Sequence, residues 1–196
     1  MGGQGSCICL KDNHEWFVLK TVHRPCVYEN FMTEVNGLVR NRGPGVQNLC
    51  GVCPRLGVIV SRYAGKTLEE YVRQRRLTKL QLAYVLEAVM KTCKAMLDRG
   101  QCHNDIKMNN VCVKRVNSRE PKVTLIDFGK AGPVGERPYI PIGPWWHLLL
   151  PWLAPELLCV GTSSHASEVY SLGYLAQGLF KEASCPKELR RWISRS

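Results

Sequence analysis

His103-Asn104-Asp105-Ile106-Lys107-Met108-Asn109-Asn110, followed further on by Leu125-Ile126-Asp127-Phe128-Gly129, is the stretch on which the reading of this chain turns. In order, the two segments set out a carboxylate, an ammonium, an amide and a second carboxylate: Asp105, Lys107, Asn110 and Asp127. The apolar runs around Val111 to Val113 and Val123 to Ile126 read as short strands bracketing a polar turn. Phosphoryl transfer needs such a set: an acceptor for a hydroxyl proton, a cation near the γ-phosphate, and oxygen ligands that hold Mg²⁺ on the phosphates. Any one of these residues alone reads as a loop polar group or a helix cap. All four in order, with strands between them, carry the chemical reading.

Working outward, Ser6 to about Val22 alternates short apolar runs around Lys11-Asp12-Asn13-His14, a hairpin whose second strand, Trp16 to Lys20, ends on a lysine. Tyr28 to Arg40 places Phe31, Val35, Leu38 and Val39 at a helical period, and Gly43-Pro44-Gly45 stops it. Strands are expected over Val46 to Val52 and Leu56 to Val60. Past Tyr63 the pattern turns helical, over Thr67 to Gln74 and Thr78 to Arg99, with Gly100 as the stop. An irregular Pro/Gly-rich stretch covers Gly129 to Pro151, helix returns at Ser167 to Phe180, and Lys187 to Ile193 is helix-like.

The two opening segments resemble the catalytic loop, H-R-D-L-K-x-x-N, and the metal-binding turn, D-F-G, of the protein kinase family. The resemblance implies Asp105 as catalytic base, Lys107 as a γ-phosphate contact, and Asn110 and Asp127 as metal ligands. Phe17-Val18-Leu19-Lys20 resembles the family's V-A-I-K strand, so Lys20 would meet the α- and β-phosphates and pair with Glu34. Gly3-Gln4-Gly5-Ser6 falls where the glycine-rich loop covers the phosphates, with Ile8 in place of the third glycine. Leu56 to Gly65 looks like the hinge: Ser61 would be the gatekeeper, the backbone of Arg62 to Ala64 would meet the adenine edge, and Cys112 would floor the pocket. Val18 stands where the family usually has Ala above the base. Trp152-Leu153-Ala154-Pro155-Glu156 resembles the A-P-E element and Ser167 to Gly173 the large helix that follows, both on the peptide-docking lobe.

The implied fold is therefore α+β, a two-lobed protein kinase-like fold truncated at both ends. Residues 1–63 would form a small β-rich N-lobe and residues 64–196 a mainly helical C-lobe. Implied cofactors are ATP and Mg²⁺, the implied partner is a protein substrate, and another kinase or a partner chain is a candidate to complete the fold. Ser/Thr is the expected hydroxyl class on the strength of Lys107, although Leu149 stands where Ser/Thr kinases place a threonine that contacts the base and the catalytic lysine.

Other departures matter. Asn104 replaces the arginine beside the base, and Tyr139 is the only hydroxyl side chain between Asp127 and Glu156, so control by loop phosphorylation is not expected. Glu168 stands for the usual aspartate at the start of the large helix, where it must cap the catalytic-loop backbone. Arg190, Arg191 and Arg195 are candidates to pair with Glu156. Ile8, Val18 and Leu149 motivate the alternative, a pseudokinase or decoy that docks on other kinases or their substrates.

Composition fits a globular chain: 45% hydrophobic and 22% charged over 196 residues. No tract approaches the roughly 18 apolar residues of a membrane span; the longest candidate, Trp145 to Leu153, is broken by His147 and Pro151. The N-terminus lacks a basic and apolar signal, which points to an intracellular protein, and the ten cysteines then read as reduced thiols. Cys50-Gly51-Val52-Cys53 has metal-ligand spacing but no second pair at zinc-finger distance. The net charge of +11, densest at Arg73-Gln74-Arg75-Arg76, lacks the aromatic interleaving of a nucleic-acid groove, so a nucleic-acid partner is not expected.

Overall fold

The computed structural model describes residues 5–22, 27–115, 117, 119–139, 148–159 and 161–180. Strands β1 (Gly5–Asp12) and β2 (Glu15–Val22) are joined by Asn13 and His14, at φ 41° and 70°. That left-handed pair is what a tight two-residue hairpin requires. Its register sets Cys7 opposite Lys20 and Cys9 opposite Val18. Helix α1 (Val27–Arg40) leads to β3 (Leu49–Cys53) and β4 (Val58–Arg62), and the four strands form one sheet in the order β1-β2-β4-β3.

Two strand starts differ from the sequence expectation. The run expected from Val46 begins as a strand only at Leu49, because Gln47 N–H donates to Leu125 O (2.9 Å) and Gly45 O accepts from Leu125 N–H (2.7 Å), committing this backbone to another sheet. Gly45 (φ 79°) runs so close to Thr92 that a Cβ there would collide with its hydroxyl. Leu56, expected to open the next strand, lies in a single 3₁₀ turn over Pro54–Leu56, which Gly57 ends in the left-handed region (φ 60°).

Beyond β4, β5 (Lys66–Thr67), β7 (Val111–Lys114) and β8 (Lys122–Leu125) make a second sheet, while β6 (Gln101–Cys102) pairs with β9 (Gly132–Pro133). Helices α2 (Leu68–Arg73), α3 (Lys79–Leu97), α4 (Pro155–Cys159) and α5 (His165–Phe180) supply the bulk of this region. Thr67 and Thr78 cap rather than join their helices; Thr78 and Gln81 form a reciprocal capping box. One continuous core joins Phe31 and Leu38 of α1, Ile59 of β4, Val89 and Met96 of α3, Leu125, Phe128 and Leu175. A smaller cluster gathers Leu153, Leu157 and Leu158 with Tyr139 and Trp152.

The eight described cysteines are free thiols. No helix among the described residues is long and apolar enough to cross a membrane. Gly3, the stretch 187–193, and Arg190, Arg191 and Arg195 lie outside the described residues.

Candidate active site

Alternation along β2 sets Lys20 opposite Ile59 of β4. The buried stripe of α1 runs through Phe31, Glu34, Leu38 and on to Asn41, so a carboxylate occupies a position that helical periodicity reserves for core residues. Lys20 Nζ meets Glu34 at 2.7 Å and Asp127 Oδ1 at 2.9 Å. Burial works against the Lys20 charge, but Glu34 and Asp127 outweigh it and hold the ammonium above the ordinary lysine range. Burial pushes the Glu34 carboxyl up against the pull of Lys20. For Asp127, burial is again the largest influence, yet Lys20, His103 and Lys107 together keep its carboxyl below the usual range.

α1 can lie this close because residue 37 is glycine. A Cβ there would stand 2.9 Å from Phe128 O. Phe128 in turn meets the edge of His103, ring centroids 4.8 Å apart, and His103 Nε2 lies 3.1 Å from Ile126 O. Asn104 and Asp127 adopt φ of 64° and 63°, in the left-handed region that non-glycine residues enter at a cost. The backbone at His103 and Asn104 is pinned from α5: Glu168 accepts from His103 N–H (3.0 Å) and Asn104 N–H (2.7 Å).

Asp105 is surrounded by donors. Lys107 Nζ reaches Oδ2 at 2.8 Å and Oδ1 at 3.0 Å, Asn110 Nδ2 donates to Oδ2 at 2.8 Å, and Trp152 Nε1 donates to Oδ1 at 2.8 Å. The Trp152 ring also sits 4.5 Å from Lys107 Nζ, and its carbonyl accepts from Ser171 Oγ at 2.6 Å. Leu149 is 67% exposed and Trp152 takes the contact with Asp105, a contact that sequence reasoning passed over. Its signal was present: an indole has one donor and no acceptor, and this one lies beside the A-P-E element.

Tyr139, the lone hydroxyl of its segment, donates to Asn104 O at 2.9 Å, and burial with the nearby Asp105, Asp127 and Glu168 pushes its phenol well up. After β4, Arg62 N–H and Tyr63 N–H are committed to Asn48 O and Trp16 O (both 2.9 Å), which leaves Ala64 as the N–H that neither bond uses. Ser61 is buried and accepts from Gln47 Nε2 at 2.7 Å. Cys112 is buried on β7, where desolvation pushes its thiol up to about 12. Gly5 and Ser6 are strand residues opposite Val22 and Thr21.

Asn110 commits its amide nitrogen to Asp105, so its amide oxygen is the atom that can ligate a cation; Asp127 keeps a carboxylate with 40% of its side chain open to solvent. An all-oxygen set of this kind suits a hard divalent ion such as Mg²⁺ carried in on phosphates.

A β-rich N-terminal region holding a Lys–Glu pair over a mainly helical region with an Asp-Lys-Asn-Asp set is the two-lobed α+β architecture of a kinase. The family described as protein tyrosine and serine/threonine kinase matches residues 9–191, and the chain belongs to it. It is 26% identical over 182 residues to a fibroblast growth factor receptor of Ciona intestinalis, a match covering 80% of this chain and 24% of that protein. It is 28% identical over 159 residues to fibroblast growth factor receptor 1 of Pleurodeles waltl, covering 71% of this chain and 19% of the relative. The chain thus spans a quarter or less of these curated relatives.

Proposed function

We propose that this chain transfers the γ-phosphate of Mg-ATP to serine or threonine hydroxyls of a protein substrate, with Asp105 as catalytic base. The observation that carries the reading is Lys20 held between Glu34 and Asp127, because it links three residues remote in sequence at one point. Asn110 and Asp127 would hold the metal, which neutralises phosphate charge when bound. Lys20 orients the α- and β-phosphates, and Arg62 and Ala64 face the adenine edge above Cys112. Asp105 receives the hydroxyl proton as attack proceeds, and Lys107, beside both of its oxygens, neutralises charge on the transferred group. Gly3, Gly5 and Ser6 would bring backbone N–H groups toward the phosphates.

The test is transfer from Mg-ATP to a peptide and protein panel, with phosphoamino-acid analysis of the product. Asp105→Asn should lower the rate by about 10²–10⁴. Unchanged turnover in that variant would overturn the assignment, and phosphotyrosine alone would overturn the hydroxyl class. One observation favours a second reading, a decoy that binds other kinases or their substrates: the indole of Trp152 occupies the base. A folded chain that binds Mg-ATP without turnover would select it.

A further inference from the structure

A separate cavity of about 630 Å³ lies outside the Lys20–Asp105–Asp127 cluster, walled by residues 42–49, the hinge, and strands β7 and β8. Four cations line it: Arg42, Arg62, Lys114 and Lys122, and no lining residue carries a carboxylate. Arg62 gives one guanidinium nitrogen to Glu15 at 2.8 Å. Among the described residues, Arg42, Lys114 and Lys122 have no ion pair.

Lys114 and Lys122 are direct cross-strand partners in the β7–β8 ladder. Like charges at that position are destabilising, and a concave site focuses their field. Burial depresses the Lys114 ammonium first, and Lys122, Arg115 and Arg62 depress it further. Lys114 Nζ is also held 4.9 Å from the Tyr63 ring centroid, at the hinge wall of the cavity. The Asn48 amide and the Thr124 hydroxyl add neutral hydrogen-bonding groups. Within a net charge of +11, this is a place where four cations converge on one half-open concavity.

We propose that this cavity binds a small anion bearing two or more phosphate groups. Volumes of about 300–1,000 Å³ accommodate compact ligands, and Lys and Arg side chains bind phosphate oxygens through charge-assisted hydrogen bonds. Such an anion offsets the Lys114–Lys122 repulsion.

The experiment is calorimetric titration of the whole chain with inorganic tripolyphosphate in magnesium-free buffer, with nucleotide binding measured separately on the same samples. The wild type should bind saturably, and about tenfold or more affinity should be lost in an R42E/K122E double variant. Binding should also weaken as ionic strength rises from about 0.05 to 0.5 M. ATP affinity of that variant should stay within about twofold, since neither residue touches the Lys20 cluster; one tenfold is the free-energy unit against which this is read. Should the double charge reversal fail to fold, K122Q at an exposed position carries the test, with a loss of about threefold. Absence of saturable binding, or equal binding by wild type and folded variants, overturns the proposal. Preference for a monophosphorylated serine peptide over tripolyphosphate would also overturn it, in favour of a peptide site.

Discussion

Asp105 owes its orientation to more than its own rotamer, since Lys107, Asn110 and Trp152 each donate to it. The indole is the contact that can be removed with least disturbance. Trp152→Phe keeps the ring against Lys107 and deletes one hydrogen bond to a charged group, which should lower unfolding free energy by about 1.5–3 kcal/mol in denaturant titration. Lys20 is a different case because two carboxylates depend on it. Asp127, whose folded pKa is depressed, contributes stability that is present above its unfolded value and is lost as pH falls through the lower folded one. The acid limb of the stability profile should therefore fall away below about pH 4. In Lys20→Met that limb should shrink, because burial, which pushes the Asp127 carboxyl up, is then no longer outweighed by the lysine; an unchanged limb would show that the pair is not coupled. The same substitution leaves Glu34 buried without its partner and should cost on the order of 3 kcal/mol.

Among the elements, α1 carries the tightest constraint. Its approach to Phe128 depends on the missing side chain at Gly37. Gly37→Ala gains about 1 kcal/mol of helix propensity, yet the new Cβ meets backbone that has little room to shift. Overpacking of this sort costs about 1–3 kcal/mol, so the net effect should be a lower melting temperature together with weaker Mg-ATP binding as Glu34 moves from Lys20. Thr78→Ala offers a control, removing the capping box of α3 for about 1 kcal/mol without touching the site.

For the whole molecule, thiol accessibility separates core from surface. Cys50 and Cys159 are exposed, whereas Cys93, Cys102 and Cys112 are buried. Desolvation pushes Cys102 and Cys112 to about 12 and Cys93 well up, so none of the three presents thiolate near neutral pH. Alkylation at about pH 8, near the free-thiol pKa, should label Cys50 and Cys159 in the native protein and the buried three only after unfolding, as read by peptide mass spectrometry. Early labelling of Cys112 would mean that β7 opens locally.

The sequence by itself determined the order of most elements and the grouping of Asp105, Lys107 and Asn110 in one short segment ahead of Asp127, because that spacing is local and helical or alternating periods survive without tertiary context. Even the pairing of Lys20 with Glu34 was legible, since a carboxylate on an apolar helical stripe needs a partner. What only the tertiary structure decided are the contacts made at long range. Val46 and Gln47 look like strand residues of the first sheet, but their backbone is taken by β8. Trp152 reached Asp105, a contact no local spacing announced, because Ser171 of α5 fixes its carbonyl while its ring packs with the Leu153 cluster. The cation-lined cavity joins residues from the α1–β3 connection, the hinge and the β7–β8 ladder. No period along the chain brings those positions together; packing does, since burial of the shared core sets which distant surfaces meet.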